Sequence, residues 1–384
     1  MVGLRDPAGF TDQVLLLAGP LLDLVSLCDG ERSVAEIHAV LAARHGAAAA
    51  DEATVRRVVE QLDRAGFLDS PGFAARRRQI EDGFRAAPTR PAAHAGGAYF
   101  GEPDALRAQV GAFFELGGPE MAPQAPQSRI RGLIAPHIDF HRGGPTYGWA
   151  YRELERSDAD LFVILGTCHA GMADPFAVTL KTWETPLGPA AADRDLYEGL
   201  ARRYGADLLA SETAHRREHS IEFQVVMLRY LLGERRPFTI LPVLASFLHE
   251  AVWRKRDPEA DRRIPAFVDA LLGALAASGR RACLIAGVDL AHVGPRFGDA
   301  APNTDAFLGE VERADRSMLE SVTGADPTGF YASVAADGDA RRICGLSPIY
   351  TFLRALPGVP GRLVRYSQWP DPQGAVTFCA AAFP

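Results

Sequence analysis

The sequence predicts an α/β fold, a sheet covered by helices on both sides, preceded by a small, mainly helical module. Three observations carry this expectation. Short, nearly continuous apolar runs recur through the last 290 or so residues, as strands buried on both faces do. Stretches of helical periodicity separate those runs. The first 72 residues read instead as a small unit of amphipathic helical segments. With 384 residues and 47% apolar content the chain can bury a sizeable core and is long enough for two or three domains. Charged residues make up 23%, which sets aside disorder, collagen and coiled coil. No apolar run approaches the roughly 18–20 residues of a membrane span. The opening Met1–Pro7 lacks the pattern of a signal peptide, so the cytoplasm is the expected location and no membrane partner is expected.

Residues 1–72 read as a helix-turn-helix module. Ser33-Val34-Ala35-Glu36 has capping-box spacing, with Ile37, Val40 and Leu41 following on one face. A second helix opens near Asp51-Glu52 and carries Val55, Val58, Val59 and Leu62, and Gly66 stops it. Phe67-Leu68-Asp69 is then expected as a short strand that completes a winged helix. This module holds 6 Arg against 11 Asp and Glu, whereas a duplex reader needs a basic face, so nucleic acid is not an expected partner. The whole chain, at a net charge of -7, adds no general attraction to nucleic acid or anionic lipid. Residues 73–92, with Arg76-Arg77-Arg78 and a stretch rich in Pro and Ala, read as a partly helical linker, and Ala47–Ala50 as the one low-complexity run.

From residue 93 to 384 the apolar runs are 132–135, 161–165, 238–244, 282–288 and 376–381, with helices expected over 195–204 and 221–232. Three runs are followed at once by metal-ligand residue types: Pro136-His137-Ile138-Asp139, Gly166-Thr167-Cys168-His169 and Asp289-Leu290-Ala291-His292. Carboxyl ends of strands in open α/β sheets are where ligands bind, so these side chains are expected to converge. A lone histidine at such a place is commonly a satisfied surface or core residue, but three sites on three strands favour one centre.

Five cysteines (Cys28, Cys168, Cys283, Cys344, Cys379) are scattered without a CxxC, which argues against a disulfide framework or closed structural zinc site. Cys344 precedes Gly345-Leu346-Ser347-Pro348 and a helical apolar pattern, so it lies at or just before a helix N-terminus, where a thiolate is favoured. From the residues alone it is equally a small buried apolar side chain; the other four read as that. Glu218-His219-Ser220-Ile221-Glu222 opens another helix, with His219 and Glu222 three residues apart and Glu218 able to orient a histidine. Simple capping by Ser220 is the alternative. There is no Gly-x-Ser-x-Gly elbow, Walker loop or GxGxxG.

Two resemblances follow from these motifs. Leu27 to Ile37, closed by Leu62 to Leu68, resembles the PqqD-like domains that bind precursor peptides, which implies a peptide- or partner-docking module; a docking or dimerisation module without a ligand remains the other reading. Ala135-Pro136-His137, Ile164 to His169, Glu218 to Glu222, Asp289 to Gly298 and Cys344 to Ile349 resemble the Memo family, in the usual order, from about His94 to the C-terminus. Thr182 to Gly188 and Tyr366-Ser367-Gln368 add to the likeness.

The Memo resemblance implies a three-layer α/β/α fold related to class III extradiol dioxygenases, with a mononuclear iron or copper. It implies His137, His169 and Cys344 as metal ligands, with Asp289, His292, Glu218, His219 and Glu222 lining or supporting the pocket. Departures lie in Ile138-Asp139-Phe140-His141-Arg142, where the family often has an aromatic redox residue. Here His141 is a candidate extra ligand, and Asp139 and Arg142 candidate substrate contacts, Arg142 as a carboxylate fork. The first expectation is therefore a metal-dependent oxidoreductase with non-haem iron, His292 or His219 serving as acid or base. Copper is an alternative metal, and zinc would turn the same pocket to hydrolysis. A metal-binding adaptor without chemistry, in the company of a radical-SAM protein, is the alternative.

Overall fold

A computed structural model describes residues 2–46, 51–116, 129–233 and 235–384; the alanine run at 47–50 lies outside them. The chain divides between Ala86 and Ala87 into two units.

In the first unit β1 (Val2–Arg5) and β2 (Val14–Leu17) pair antiparallel, followed by α1 (Gly19–Ser26), α2 (Val34–His45), α3 (Glu52–Arg64) and α4 (Pro71–Ala86). The capping box at Ser33 forms, its hydroxyl accepting the Glu36 amide while the Glu36 carboxylate accepts the Ser33 amide. Asp51 caps α3 through the Thr54 amide at 2.7 Å. Leu24, Leu27, Ile37, Leu41, Val55 and Leu62 form the core.

The wing is a correction. Gly66, at φ +80°, turns the chain so that the Phe67 amide closes onto the Leu62 carbonyl, and no strand forms at 67–69. The strands of this unit precede its helices instead. Val14–Leu17 does not alternate in residue type, so its sequence cannot separate strand from helix. The linker is also shorter than expected: 71–86 is helix with Phe84 buried, and the chain then enters the second unit directly.

The second unit begins with β3 (Thr89–Arg90), α5 (Pro103–Glu115), β4 (Gly132–Ala135), α6 (Phe140–Arg152) and β5 (Leu161–Thr167). Next come β6 (Phe176–Val178), β7 (Thr182–Trp183), β8 (Ala191–Ala192), α7 (Arg194–Tyr204), α8 (His219–Leu232) and β9 (Thr239–Ala245). Then follow α9 (Leu248–Trp253), α10 (Arg263–Ser278), β10 (Ala282–Gly287), β11 (His292–Val293), α11 (Asp305–Thr323) and α12 (Pro327–Ala335). Last are α13 (Leu346–Ala355), β12 (Arg362–Trp369) and β13 (Ala375–Phe383).

The main sheet has the order β11-β13-β4-β10-β5-β9-β6, with β12 on β13 and β8 on β9. Its centre, β4, β10, β5 and β9, is parallel, and the flanking strands β13 and β6 are antiparallel to it. Period-two alternation explains why the central strands read as unbroken apolar runs. In β5, Leu161, Val163 and Leu165 point into one core while Phe162 and Ile164 point into the other. Helices α7 and α9 to α13 cover the first face, and α5, α6 and α8 the second. Three layers result, as the resemblance implied. Pro242 is tolerated within β9 because β8 pairs with residues 239–240 and β6 with 243–245, so the missing amide falls between the two partners.

Candidate metal centre

Register brings the three strand ends together. Gly287 at the end of β10 lies opposite both Ala135 of β4 and Gly166 of β5, so the loops carrying His137, Asp289 and His169 leave the sheet side by side. The N-terminus of α8 presses onto the same place. A Cβ on Gly166 would lie 2.5 Å from Ser220 Oγ, and one on Gly287 2.4 Å from the Ser220 carbonyl oxygen, so glycine is what lets the helix approach.

Each histidine is held in a defined tautomer. His137 Nδ1 lies 2.9 Å from the Gly287 carbonyl, which can only accept, so Nδ1 carries the proton and Nε2 presents its lone pair. His169 Nδ1 lies 2.9 Å from Glu218 Oε1, which holds a proton on Nδ1 and turns Nε2 toward Cys344. Both Nε2 atoms are 3.3 Å from Cys344 Sγ. The Cys344 loop is fixed from below, its amide donating to the Leu290 carbonyl and its own carbonyl accepting the Thr167 hydroxyl at 3.1 Å. His219, first residue of α8, stacks on His169 with ring centroids 4.4 Å apart.

Donor atoms of His137, His169 and His219 all lie within 4.8 Å of one another, with His137 buried, His219 half-buried and His169 exposed, and this group could hold a metal ion. A tetrahedral ion with metal–sulfur and metal–nitrogen bonds of about 2.3 and 2.0 Å separates sulfur from nitrogen by roughly 3.5 Å. The spacing around Cys344 therefore fits a thiolate ligand as well. His219 stands closer to the metal position than the acid–base role expected for it required.

Charge in the site follows from burial and neighbours. Burial raises the Cys344 thiol, but the imidazoles of His137 and His169 outweigh it and bring the pKa down to about 6. Burial lowers His169, but Cys344 and Glu218 push it well above the ordinary imidazole range. His219 moves the other way, well below that range, because burial and three neighbouring imidazoles, His169, His137 and His94, outweigh Glu218. Glu218 stays ionised against its burial through His169, His219 and the His169 amide. Burial lifts Asp289 to about 6. Its Oδ1 accepts the amides of His137 and Ile138 at 2.9 and 3.2 Å, and Oδ2 is 3.7 Å from His137 Nε2.

Other expected site residues make their described contacts outside the three imidazoles, although His292 stays close enough to act on Asp289. Glu222 is fully buried and uses both oxygens on Arg90, Tyr99 and the amides of Ala93 and His94, which makes it an anchor of the chain behind the centre. His141 is exposed on the first turn of α6, its ring against Phe100 and Nδ1 3.5 Å from Gln109, so it does not join the imidazoles as a ligand. Asp139 caps α6 through the Arg142 amide and pairs with the Arg142 side chain at 2.6 Å, which occupies part of the fork expected to meet substrate. His292 packs edge-on against Phe297, with Nδ1 3.2 Å from the Leu290 carbonyl; none of its described hydrogen bonds or ring contacts reaches His137, His169 or His219. Ser220 is not the cap of α8. Glu218 is, accepting the amides of His219 and Ser220, while Ser220 donates to the Thr167 carbonyl.

Sequence reasoning missed Arg90, Tyr99 and Gln224, the last of which donates to the Pro136 carbonyl at 2.8 Å and steadies the His137 loop. Arg90 falls in the stretch read as linker, and its partner Glu222 is 132 positions away, so no local pattern could reveal it.

Comparison with known proteins agrees with this architecture. The family model described as Memo-like protein matches residues 90–377. A MEMO1 family protein of Methanothermobacter thermautotrophicus is 32% identical over 293 residues, covering 74% of this chain and 95% of that protein. MEMO1 family proteins of Aquifex aeolicus and Thermus thermophilus are each 26% identical, over 94% and 87% of this chain and 90% and 93% of their own lengths. The Aquifex match, at 94% of this chain, takes in most of the first unit too. With three quarters of the chain covered by one family model and the histidine-bearing strand ends inside it, the chain belongs to the Memo-like protein family.

Proposed function

We propose that this protein is a metal-dependent oxidoreductase whose centre is held by His137, His169 and Cys344, with His219 beside them. The observation that supports it most is the placement of Cys344 Sγ 3.3 Å from the Nε2 of two imidazoles whose Nδ1 atoms are fixed by a carbonyl and a carboxylate. One thiolate with two neutral imidazoles leaves positions open and suits iron or copper. Such an ion, when bound, supplies redox chemistry with dioxygen, whereas zinc would supply Lewis-acid hydrolysis.

The protein's own part is to position and to manage protons. Glu218 and Gly287 keep both ligand imidazoles aimed inward. Neutral His219 can accept a proton at the open side, and Asp289, with a pKa of about 6, can exchange one near neutral pH. His292 is kept as a candidate acid or base for a substrate that reaches past the imidazoles.

The first unit is read as a docking module for a peptide or protein partner. A groove of about 470 Å³ lined by Phe10, Gln13, Leu15, Gln61, Arg64 and Arg76 supports this, next to the exposed Val14 and Leu16 of β2. The test is metal content after anaerobic loading with iron(II), beside dioxygen consumption. About one iron per chain is expected, falling to traces in a Cys344→Ser/His169→Ala double variant, with consumption falling in parallel. Full metal content with no dioxygen uptake for any peptide tried would leave a metal-binding adaptor.

A further inference from the structure

Arg90 lies directly behind the metal centre and is fully buried. Its guanidinium stands 4.3 Å over the Trp183 ring and pairs with the equally buried Glu222. The same fork donates to three carbonyls: His215 at 3.1 Å, Pro91 at 3.0 Å and Glu218 at 2.6 Å. Glu222 in turn receives the Tyr99 hydroxyl and the amides of Ala93 and His94. His94 Nε2 donates to the Arg217 carbonyl at 2.8 Å, and its ring meets that of His219 at 5.6 Å.

Residues 90–99 thus form a strap across the start of α8 that grips the peptide carbonyls of Arg217 and Glu218. Glu218 is the residue whose carboxylate orients His169 and caps the helix that begins with His219. A shift of its backbone by a few tenths of an ångström would turn one imidazole and carry the other with it. Burying a guanidinium without water is costly, and an apolar side chain of similar size would fill the space. What an apolar replacement cannot do is hold three carbonyls and a carboxylate at once.

We propose that Arg90 is a positioning residue for the metal centre, setting the aim of His169 and His219 through the carbonyl of Glu218. The proposal rests on the metal reading above.

The experiment uses the full chain and cobalt(II) as the probe, read by its ligand-field bands and its thiolate charge-transfer band. Arg90→Lys keeps the charge but replaces the planar fork with one ammonium, and Glu222→Gln keeps the shape while weakening the grip. Arg90→Lys is expected to bind cobalt about 10- to 100-fold more weakly, with displaced bands and a cooperative thermal melt. Glu222→Gln should move in the same direction by less, and it carries the test if the lysine variant does not fold. Leu271→Ala, in the core on the other face of the sheet, should lower the melting temperature and leave the bands in place. Wild-type affinity and spectrum in both strap variants, in a protein where His169→Ala abolishes binding, would overturn the proposal. So would an equal displacement in Leu271→Ala, which would make the effect general loosening. A wild-type chain that takes up no cobalt overturns the metal reading itself.

Discussion

If Cys344 and His169 are ligands as proposed, they together set how the centre takes up a metal. With the thiol brought down to about 6 and His169 raised well above its ordinary range, the metal-free centre at neutral pH holds a thiolate beside an imidazolium. Binding a cation then displaces one proton, from His169. Below about pH 6 Cys344 is protonated as well, and binding displaces two. The logarithm of the cobalt(II) affinity is therefore expected to rise with pH at a slope near one above pH 6 and near two below it, measured by titration in weakly coordinating buffers. A flat profile between pH 5 and 8 would mean that these two groups are not ligands. His137, His169 and Asp289 were readable because they follow apolar runs closely, whereas Cys344 was raised above a buried apolar thiol only by the family resemblance. Their second partners were not readable, since Arg90 and Glu222 meet only through the fold.

The elements show the same division. Five apolar runs correspond to β4, β5, β9, β10 and β13, because strands covered on both faces leave no room for polar residues. Strands β6, β7, β8 and β11 are two or three residues long, and β12 is a half-exposed edge strand, so none leaves an apolar run to read. The close approach of α8 to the sheet has a measurable cost of disruption. In Gly166→Ala the added methyl would meet Ser220 Oγ at 2.5 Å and Ile221 Cγ1 at 2.6 Å. Overpacking of this kind costs about 1–3 kcal/mol. Because the displaced turn carries Glu218 and His219, thermal melting should fall and cobalt affinity should fall with it. A variant that loses stability and keeps its affinity would show that the helix start does not set the imidazoles.

The whole molecule has separate cores in its two units, Leu24 to Leu62 in the first and two clusters astride the sheet in the second. Separate cores lead us to expect that residues 1–86 and 87–384 fold independently. The second fragment should melt cooperatively and bind cobalt as the full chain does. The chain divides into two units, and the change in patterning near residue 72 placed a boundary before the one observed. The position at 86 was not evident, because α4 carries mostly polar residues and only Phe84 is buried on it.

The strap behind α8 also decides where this protein can be cut. A fragment beginning at residue 93 would contain His137, His169, His219 and Cys344, and by motif it would look complete. It would lack the guanidinium that holds the Glu218 carbonyl, and Glu222 would be left buried with its cation removed. Such a fragment is expected to bind metal no better than the Arg90 variants, although every proposed ligand is present. For a centre built this way, the functional boundary lies at the residue that steadies the ligands, not at the first residue that donates an electron pair.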